Sequence, residues 1–260
     1  MNYTIMASHG RSEKINMAIE SFLMQTTEDK ILILVDDSGE GNISFSYDDS
    51  DRIVKLNNKA NLGFTKSLNV ALNYIKENYE LQNDDTVSIL DDDDIWCSRE
   101  KLSKQISFLD ANQSVDIVSS IASIISENGT LIKEKIPNYY GEISKDIIKI
   151  QNPIVHSSVT VRAKLLLNGL YSYDESLIRS QDWDLWIRLI VSRDIKAYIY
   201  PEKLVEYTDS RKLLTKIRKR RRDFEANLIL NKRYVGLNLP TSWSNLIFLK
   251  ISKLVSLASG

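Results

Sequence analysis

Hydrophobic and polar positions along the first hundred or so residues follow two alternating periods. Tyr3 to Ala7, Ile31 to Val35, Arg52 to Leu56 and Val87 to Leu90 are short, mostly apolar runs bounded by turn residues, the pattern of strands covered on both faces. Between the first two runs, Arg11 to Gln25 sets Ile15, Ala18, Ile19, Phe22 and Leu23 at helical spacing. After the third, a polar loop through Asn57, Asn58, Asn61 and Gly63 leads to a helix with Leu68, Ala71, Leu72 and Ile75 on one face. Strands alternating with helices predict βαβ units and a parallel sheet, an α/β class.

The pattern then loosens. Ser98 to Gln113 is a predicted helix carrying Leu102, Ile106 and Leu109, with Ser98 as its N-cap. Val115 to Ile125 and Thr130 to Ile136 flank Asn128-Gly129, a hairpin signal that predicts an antiparallel addition to the parallel half. Pro153 to Arg162 reads as a further strand. Gln181 to Ile190 reads as a helix burying Trp183, Leu185, Trp186, Leu189 and Ile190.

Beyond Tyr207 the character changes, which divides the chain into a body over 1–207 and an extension over 208–260. Leu213, Leu214, Ile217, Phe224, Leu228 and Ile229 recur at helical spacing around an unbroken basic run from Arg218 to Arg222, and Trp243 to Ala258 repeats the theme. The formal net charge of −1 hides this: residues 210–260 hold 12 Lys and Arg against 2 Asp and Glu, so the body is acidic. Basic amphipathic helices suit an anionic membrane surface. They suit equally well packing on the body or on a second subunit, as in a homo-oligomer. Nucleic acid is not an expected partner, because no reader motif accompanies the basic run. One cysteine, Cys97, excludes an internal disulfide, and no apolar stretch reaches the roughly 18 residues of a membrane span. The expectation is a cytoplasmic protein, peripheral on the inner face of the membrane if the tail binds lipid.

Chemistry enters at the strand ends. The run Val87-Ser88-Ile89-Leu90 stops in four aspartates, Asp91 to Asp94, followed by Ile95 and Trp96. In open α/β sheets ligands bind beyond the carboxyl ends of strands. Adjacent carboxylates resist joint ionisation without a cation, and Mg²⁺ or Mn²⁺ with a substrate phosphate is the simplest remedy. A solvated acidic loop is the plainer alternative. The second strand ends in Asp36-Asp37-Ser38-Gly39. A carboxylate there can accept a pyrimidine ring N–H, so Asp37 suits a base and Asp93 a metal, although Asp before Ser and Gly is also ordinary turn chemistry.

The order of Val35-Asp36-Asp37-Ser38, then Asn61-Leu62-Gly63 with Asn69, then Leu90 to Trp96, then Gln181-Asp182-Trp183-Asp184-Leu185-Trp186-Ile187-Arg188-Leu189 resembles glycosyltransferase family 2 over roughly residues 3–207. That resemblance implies the GT-A fold, a mixed sheet flanked by helices, and inverting transfer of a sugar from a UDP- or dTDP-sugar to a hydroxyl of a saccharide or lipid-linked saccharide. It implies that Asp37 contacts the pyrimidine, that Asp91 and Asp93 form the DxD pair with Asp93 on Mn²⁺ or Mg²⁺, and that Asp182 is the base. Asp36, Asp92, Asn61 and Lys66 are expected around the donor nucleotide, and Asp94, His156, Gln181 and Trp183 near substrate. Two departures stand out: the usual Gly-Ser is Ser38-Gly39, and the usual Glu before the base is Gln181.

Each of these residues has a plainer role open to it. Asp182 or Asp184 can serve as a charge in the first turn of a helix, and His156 and His9 can be satisfied structural histidines. A sugar nucleotidyltransferase would require a glycine-rich basic loop where Ser8-His9-Gly10-Arg11 stands. A phosphatase with an aspartyl nucleophile leaves Asp36-Asp37 and the Asp182 helix unexplained. A processive synthase would carry membrane helices and a Gln-x-x-Arg-Trp segment. A catalytically inactive nucleotide- or carbohydrate-binding module is the reading that Gln181 keeps open.

Overall fold

The computed structural model describes residues 1–10, 12–41, 43, 46, 51–126, 128–209 and 227–234. In chain order the elements are β1 (Asn2–Ser8), α1 (Ser12–Leu23), β2 (Lys30–Asp36), β3 (Ile53–Asn57), α2 (Phe64–Asn78), β4 (Thr86–Ile89), β5 (Ile95–Trp96), α3 (Lys101–Ala111), β6 (Ile117–Ser126) and β7 (Leu131–Ile136). There follow β8 (Gly141–Glu142), α4 (Lys145–Ile150), a 3₁₀ turn (His156–Ser158), β9 (Thr160–Arg162), α5 (Lys164–Leu167), α6 (Gln181–Trp186), its π-helical continuation (Ile187–Ser192) and β10 (Ala197–Asp209). A last helix, α7, spans 227–233.

One mixed sheet carries all ten strands in the order β3-β2-β1-β4-β9-β6-β10-β5, with β7 beside β6 and β8 beside β10. The half from β3 to β4 is parallel, as the alternating pattern predicts. β9 lies antiparallel between β4 and β6, and β10 runs parallel to β6. Strand periodicity sends alternate side chains to opposite faces. Ile5, Ile33 and Val35 therefore pack with Leu68, Ala71 and Ile75 of α2 and with Trp186 of α6, while Met6, Leu32 and Leu34 pack with Ile15, Ile19 and Phe22 of α1.

Three findings depart from the expectations. The stretch Pro153 to Arg162 is not one strand, because the Ser158 amide donates back to the Val155 carbonyl at 2.9 Å and closes the His156–Ser158 turn before β9 begins. β10 was not legible: Pro201 and its charged neighbours break its alternation, and the structure absorbs them as register shifts between Tyr200 and Val205. The same strand runs through Asp209, past the expected boundary at 207. The amphipathic helices expected over 211–230 and 243–258 lie outside the described residues except for 227–230. There α7 buries Leu230 fully in the main core. No helix among the described residues is long and apolar enough to cross a membrane.

β4 is short, wholly buried and carries the acidic run at its end, so its packing sets where those carboxylates stand. Ile89 is fully buried in the main cluster. Ile89→Ala is expected to cost about 2–5 kcal/mol of unfolding free energy, measured by denaturant titration, with circular dichroism confirming an intact fold.

Candidate active site

A cleft of about 1150 Å³ opens at the carboxyl ends of β1, β2 and β4. Its lining includes Ser8, His9 and Asp37 on one side, Asp91, Asp92 and Asp93 on its floor, and His156 with the segment Ile178 to Trp183 on the other. Residues from three of the four expected motifs, together with His156, thus share one space.

Asp37 follows β2 at a turn whose geometry needs glycine: Gly39 has φ +82°, and a Cβ there would stand 3.2 Å from the Ala60 Cα. The exchanged order Ser38-Gly39 therefore places glycine where the backbone requires it. The Asp37 carboxylate accepts from the Leu62 amide at 2.8 Å, the Gly63 amide at 2.9 Å and the Asn58 side chain at 2.8 Å. A carboxylate has about four acceptor positions, so one remains for a ligand N–H. His9 Nδ1 donates to the Asp37 carbonyl oxygen at 2.9 Å, which sets the imidazole against this loop.

The four aspartates after β4 do not act as a block. Asp91 accepts from His156 Nδ1 at 2.9 Å. Asp92 is buried and accepts the Ser8 hydroxyl. Asp93 lines the cleft. Asp94 is fully buried outside it, taking the Thr208 amide at 2.8 Å on one oxygen and the Ser157 hydroxyl on the other. Burial, with the charges of Asp91 and Asp93 adding to it, raises the Asp94 carboxyl well above the usual carboxylate range. Fanning the side chains apart and favouring the neutral form of one of them relieves the repulsion that the sequence alone assigns to a cation. Trp96 anchors the turn from below, its indole N–H donating to the Ser157 carbonyl at 2.7 Å.

His156 bridges two groups, Asp91 at Nδ1 and the Tyr173 hydroxyl 2.9 Å from Nε2. Burial works against its charged form, but the charge and hydrogen bond of Asp91 and the charge of Asp182 outweigh burial and raise its pKa. Burial also raises the Tyr173 phenol well above its ordinary value, with Tyr171, Asp91 and Asp182 adding to the effect. Asp182 is the second residue of α6, whose N-cap Ser180 is a non-glycine residue at φ 57°. Its Oδ2 accepts from Asn152 at 2.8 Å.

Four expected residues lie outside the cleft lining. Asp36 is fully buried, accepts the Ser38 and Ile43 amides at 2.9 Å each, and so serves its own turn. Asn61 is exposed, its amide 3.2 Å from His9 Nδ1. Lys66 projects from the exposed side of α2. Asp94 is the buried clamp described above. Trp183 and Gln181 do line the cleft, Trp183 mainly through its ring, since its N–H is spent on the Ile148 carbonyl at 2.8 Å. Asn152, Tyr173, Lys133 and Arg179 were not anticipated, being single polar residues in irregular segments or on an exposed strand. Arg179 and Lys133 line the cleft, and among the described residues neither side chain makes a hydrogen bond or ion pair. Cys97 is exposed, its thiol 3.8 Å from the Lys203 carbonyl oxygen.

The donor set suits a shared metal better than a protein cage. Among the described residues, no group of three or more His, Cys, Asp and Glu converges as a metal site. Asp93, with Asp91 beside it, fits the one or two carboxylates through which Mg²⁺ or Mn²⁺ is held jointly with substrate phosphates.

The cleft thus opens at the parallel strand ends of an α/β sheet and is lined by carboxylates from several elements. The chain belongs to glycosyltransferase family 2, whose family model matches residues 3–168. An uncharacterized glycosyltransferase of Methanocaldococcus jannaschii is 34% identical over 251 residues, 93% of this chain and 79% of that protein. In Escherichia coli, the O-antigen biosynthesis glycosyltransferase WbnJ is 29% identical, over 72% of this chain and 70% of its own length. The E. coli UDP-Glc:α-D-GlcNAc-diphosphoundecaprenol β-1,3-glucosyltransferase WfgD is 27% identical, over 74% and 71%. The crystal structure of S. aureus TarS 1–349 superposes with a TM-score of 0.62 at 16% identity, covering 93% of this chain and 67% of that one. It shares the fold, that of the GT-A glycosyltransferases.

Replacing Asp94 by Ala strands the buried Thr208 amide, an expected loss of about 1–3 kcal/mol of stability. Asp94→Asn keeps an acceptor for that amide and is expected to recover most of it. Urea titration of both variants checks this, and equal losses would show that the clamp is not the Thr208 hydrogen bond.

Proposed function

We propose that the protein is a metal-dependent, inverting glycosyltransferase that moves a sugar from a UDP- or dTDP-sugar to a hydroxyl of a saccharide or lipid-linked saccharide, in the synthesis of a bacterial-type surface polysaccharide. The observation that carries this reading is that Asp37, Asp93 and Asp182, each on a different element, line one cleft. Donor and acceptor functions can therefore meet there. Arg179 and Lys133, whose side chains make no hydrogen bond or ion pair among the described residues, support an anionic ligand in a cleft otherwise dominated by carboxylates. The name of WfgD supports a UDP-sugar donor and a lipid-linked saccharide acceptor for this chain, and that of WbnJ supports a place in surface polysaccharide synthesis.

In this reading the pyrimidine lies at Asp37 and offers its ring N–H to the remaining acceptor position. Asp93, with Asp91, would hold Mn²⁺ or Mg²⁺. When bound, the ion supplies Lewis-acid stabilisation of the departing nucleoside diphosphate. Asp182, oriented by Asn152, takes the proton of the acceptor hydroxyl as its oxygen attacks the anomeric carbon. The bond from that carbon to the diphosphate oxygen breaks on the opposite face. A single displacement inverts the anomeric configuration. His156 and Tyr173 fix Asp91 from behind.

Two outcomes are expected. Asp182→Asn keeps the shape of the side chain and removes the proton acceptor, so transfer falls by about 10²–10⁴-fold while the calorimetric affinity for UDP stays near that of the wild type. A mutant retaining near wild-type transfer would reduce Asp182 to a capping charge. Asp93→Ala abolishes the gain in UDP affinity that Mn²⁺ confers on the wild type, and an undiminished gain would move the metal to another aspartate.

A further inference from the structure

The family-model match ends at residue 168, yet the cleft continues into later chain, through Ile178 to Trp183 and Asn227. Asn227 is the first described residue of α7, whose Leu230 is fully buried in the main core. The link between α7 and the catalytic helix is Asp184. This carboxylate is fully buried. It accepts from Arg233 Nη1 at 2.9 Å and the Tyr234 hydroxyl at 2.8 Å on one oxygen, and from Arg188 Nε at 2.9 Å on the other. A buried charge that loses a partner is strongly destabilised, so α6 and α7 are held in one arrangement.

The same two arginines reach the segment around Tyr173. Arg233 also donates to Asp174 at 2.6 Å, and Arg188 to the Ser172 carbonyl at 2.6 Å. Those acceptors flank Tyr173, whose backbone is pinned by Asn69 at 2.9 Å in both directions. The Tyr173 hydroxyl meets His156, and His156 meets Asp91. One ion-pair cluster thus fixes both the helix that bears Asp182 and the residue that backs Asp91.

We propose that α7 is part of the catalytic apparatus, with Arg233 and Tyr234 acting as positioning residues that hold Asp182 in place through Asp184. The proposal rests on Asp182 being the base. Misplacement of a reacting group by about 1 Å can cost on the order of 10²-fold in rate.

The test uses the full chain with Arg233→Met, Arg233→Lys and Tyr234→Phe. Each is assayed on a panel of UDP- and dTDP-sugars with Mn²⁺ for donor hydrolysis, in which water stands in for the acceptor, and by calorimetry with UDP. Arg233→Met is expected to lower kcat by roughly ten- to a hundredfold with UDP affinity within about twofold. Arg233→Lys should recover much of the rate, and Tyr234→Phe should show a smaller drop even if Arg233→Met does not fold. If the wild type hydrolyses a donor and the folded variants match its kcat, or lose rate only in proportion to the unfolded fraction seen in a melt, the positioning role is overturned and the proposed function stands. A wild type that neither binds UDP nor hydrolyses any donor overturns both.

Discussion

The carboxylate of Asp94 joins the two parts of the sheet at the site. One oxygen takes a backbone amide from β10 and the other a hydroxyl from the turn before β9, so the acidic loop after β4 is held by strands that follow it by over sixty residues in the chain. Burial favours the neutral form of this group. That lowers the repulsion on Asp91 and Asp93 and lets both face the cleft. A run of four acidic residues is thereby divided into a clamp, a serine-bound support and two residues, Asp91 and Asp93, that line the cleft.

Much of this was legible in the chain. The parallel half follows from apolar runs and helical spacings at Ile5, Ile33, Leu68 and Ile89, because a strand covered on both faces has no polar alternative. The cleft membership of Asp37, Asp91, Asp92, Asp93, His156, Gln181, Asp182 and Trp183 was likewise approached through motif order. What was not legible depends on long-range contacts. Nothing local distinguishes Asp36 from Asp37, yet backbone amides of the following turn take up the first while the second faces the Asn61-Leu62-Gly63 loop. β10 hides behind Pro201, and the His156 turn breaks an apolar stretch that reads as a strand.

Asp184 illustrates the same limit. Its position beside Asp182 on one short helix makes it a natural second candidate for the base. The structure gives it to Arg188, Arg233 and Tyr234 instead, leaving Asp182 as the helix's carboxylate in the cleft. The division of labour is one of burial: the aspartate turned inward organises the helix, and the one turned outward lines the cleft. The basic segment that begins as an apparent appendage thus contributes at least one helix to the body.

The account stands or falls on whether the acidic strand end and the α6 carboxylate serve one nucleotide-sugar reaction. Its most direct measurement is a screen of nucleotide sugars with Mn²⁺ and with EDTA, following release of the nucleoside diphosphate and the anomeric configuration of the released or transferred sugar. The account predicts turnover of a UDP- or dTDP-sugar that EDTA abolishes, with inversion at the anomeric carbon. Turnover with retention, or equal turnover in EDTA, would contradict it.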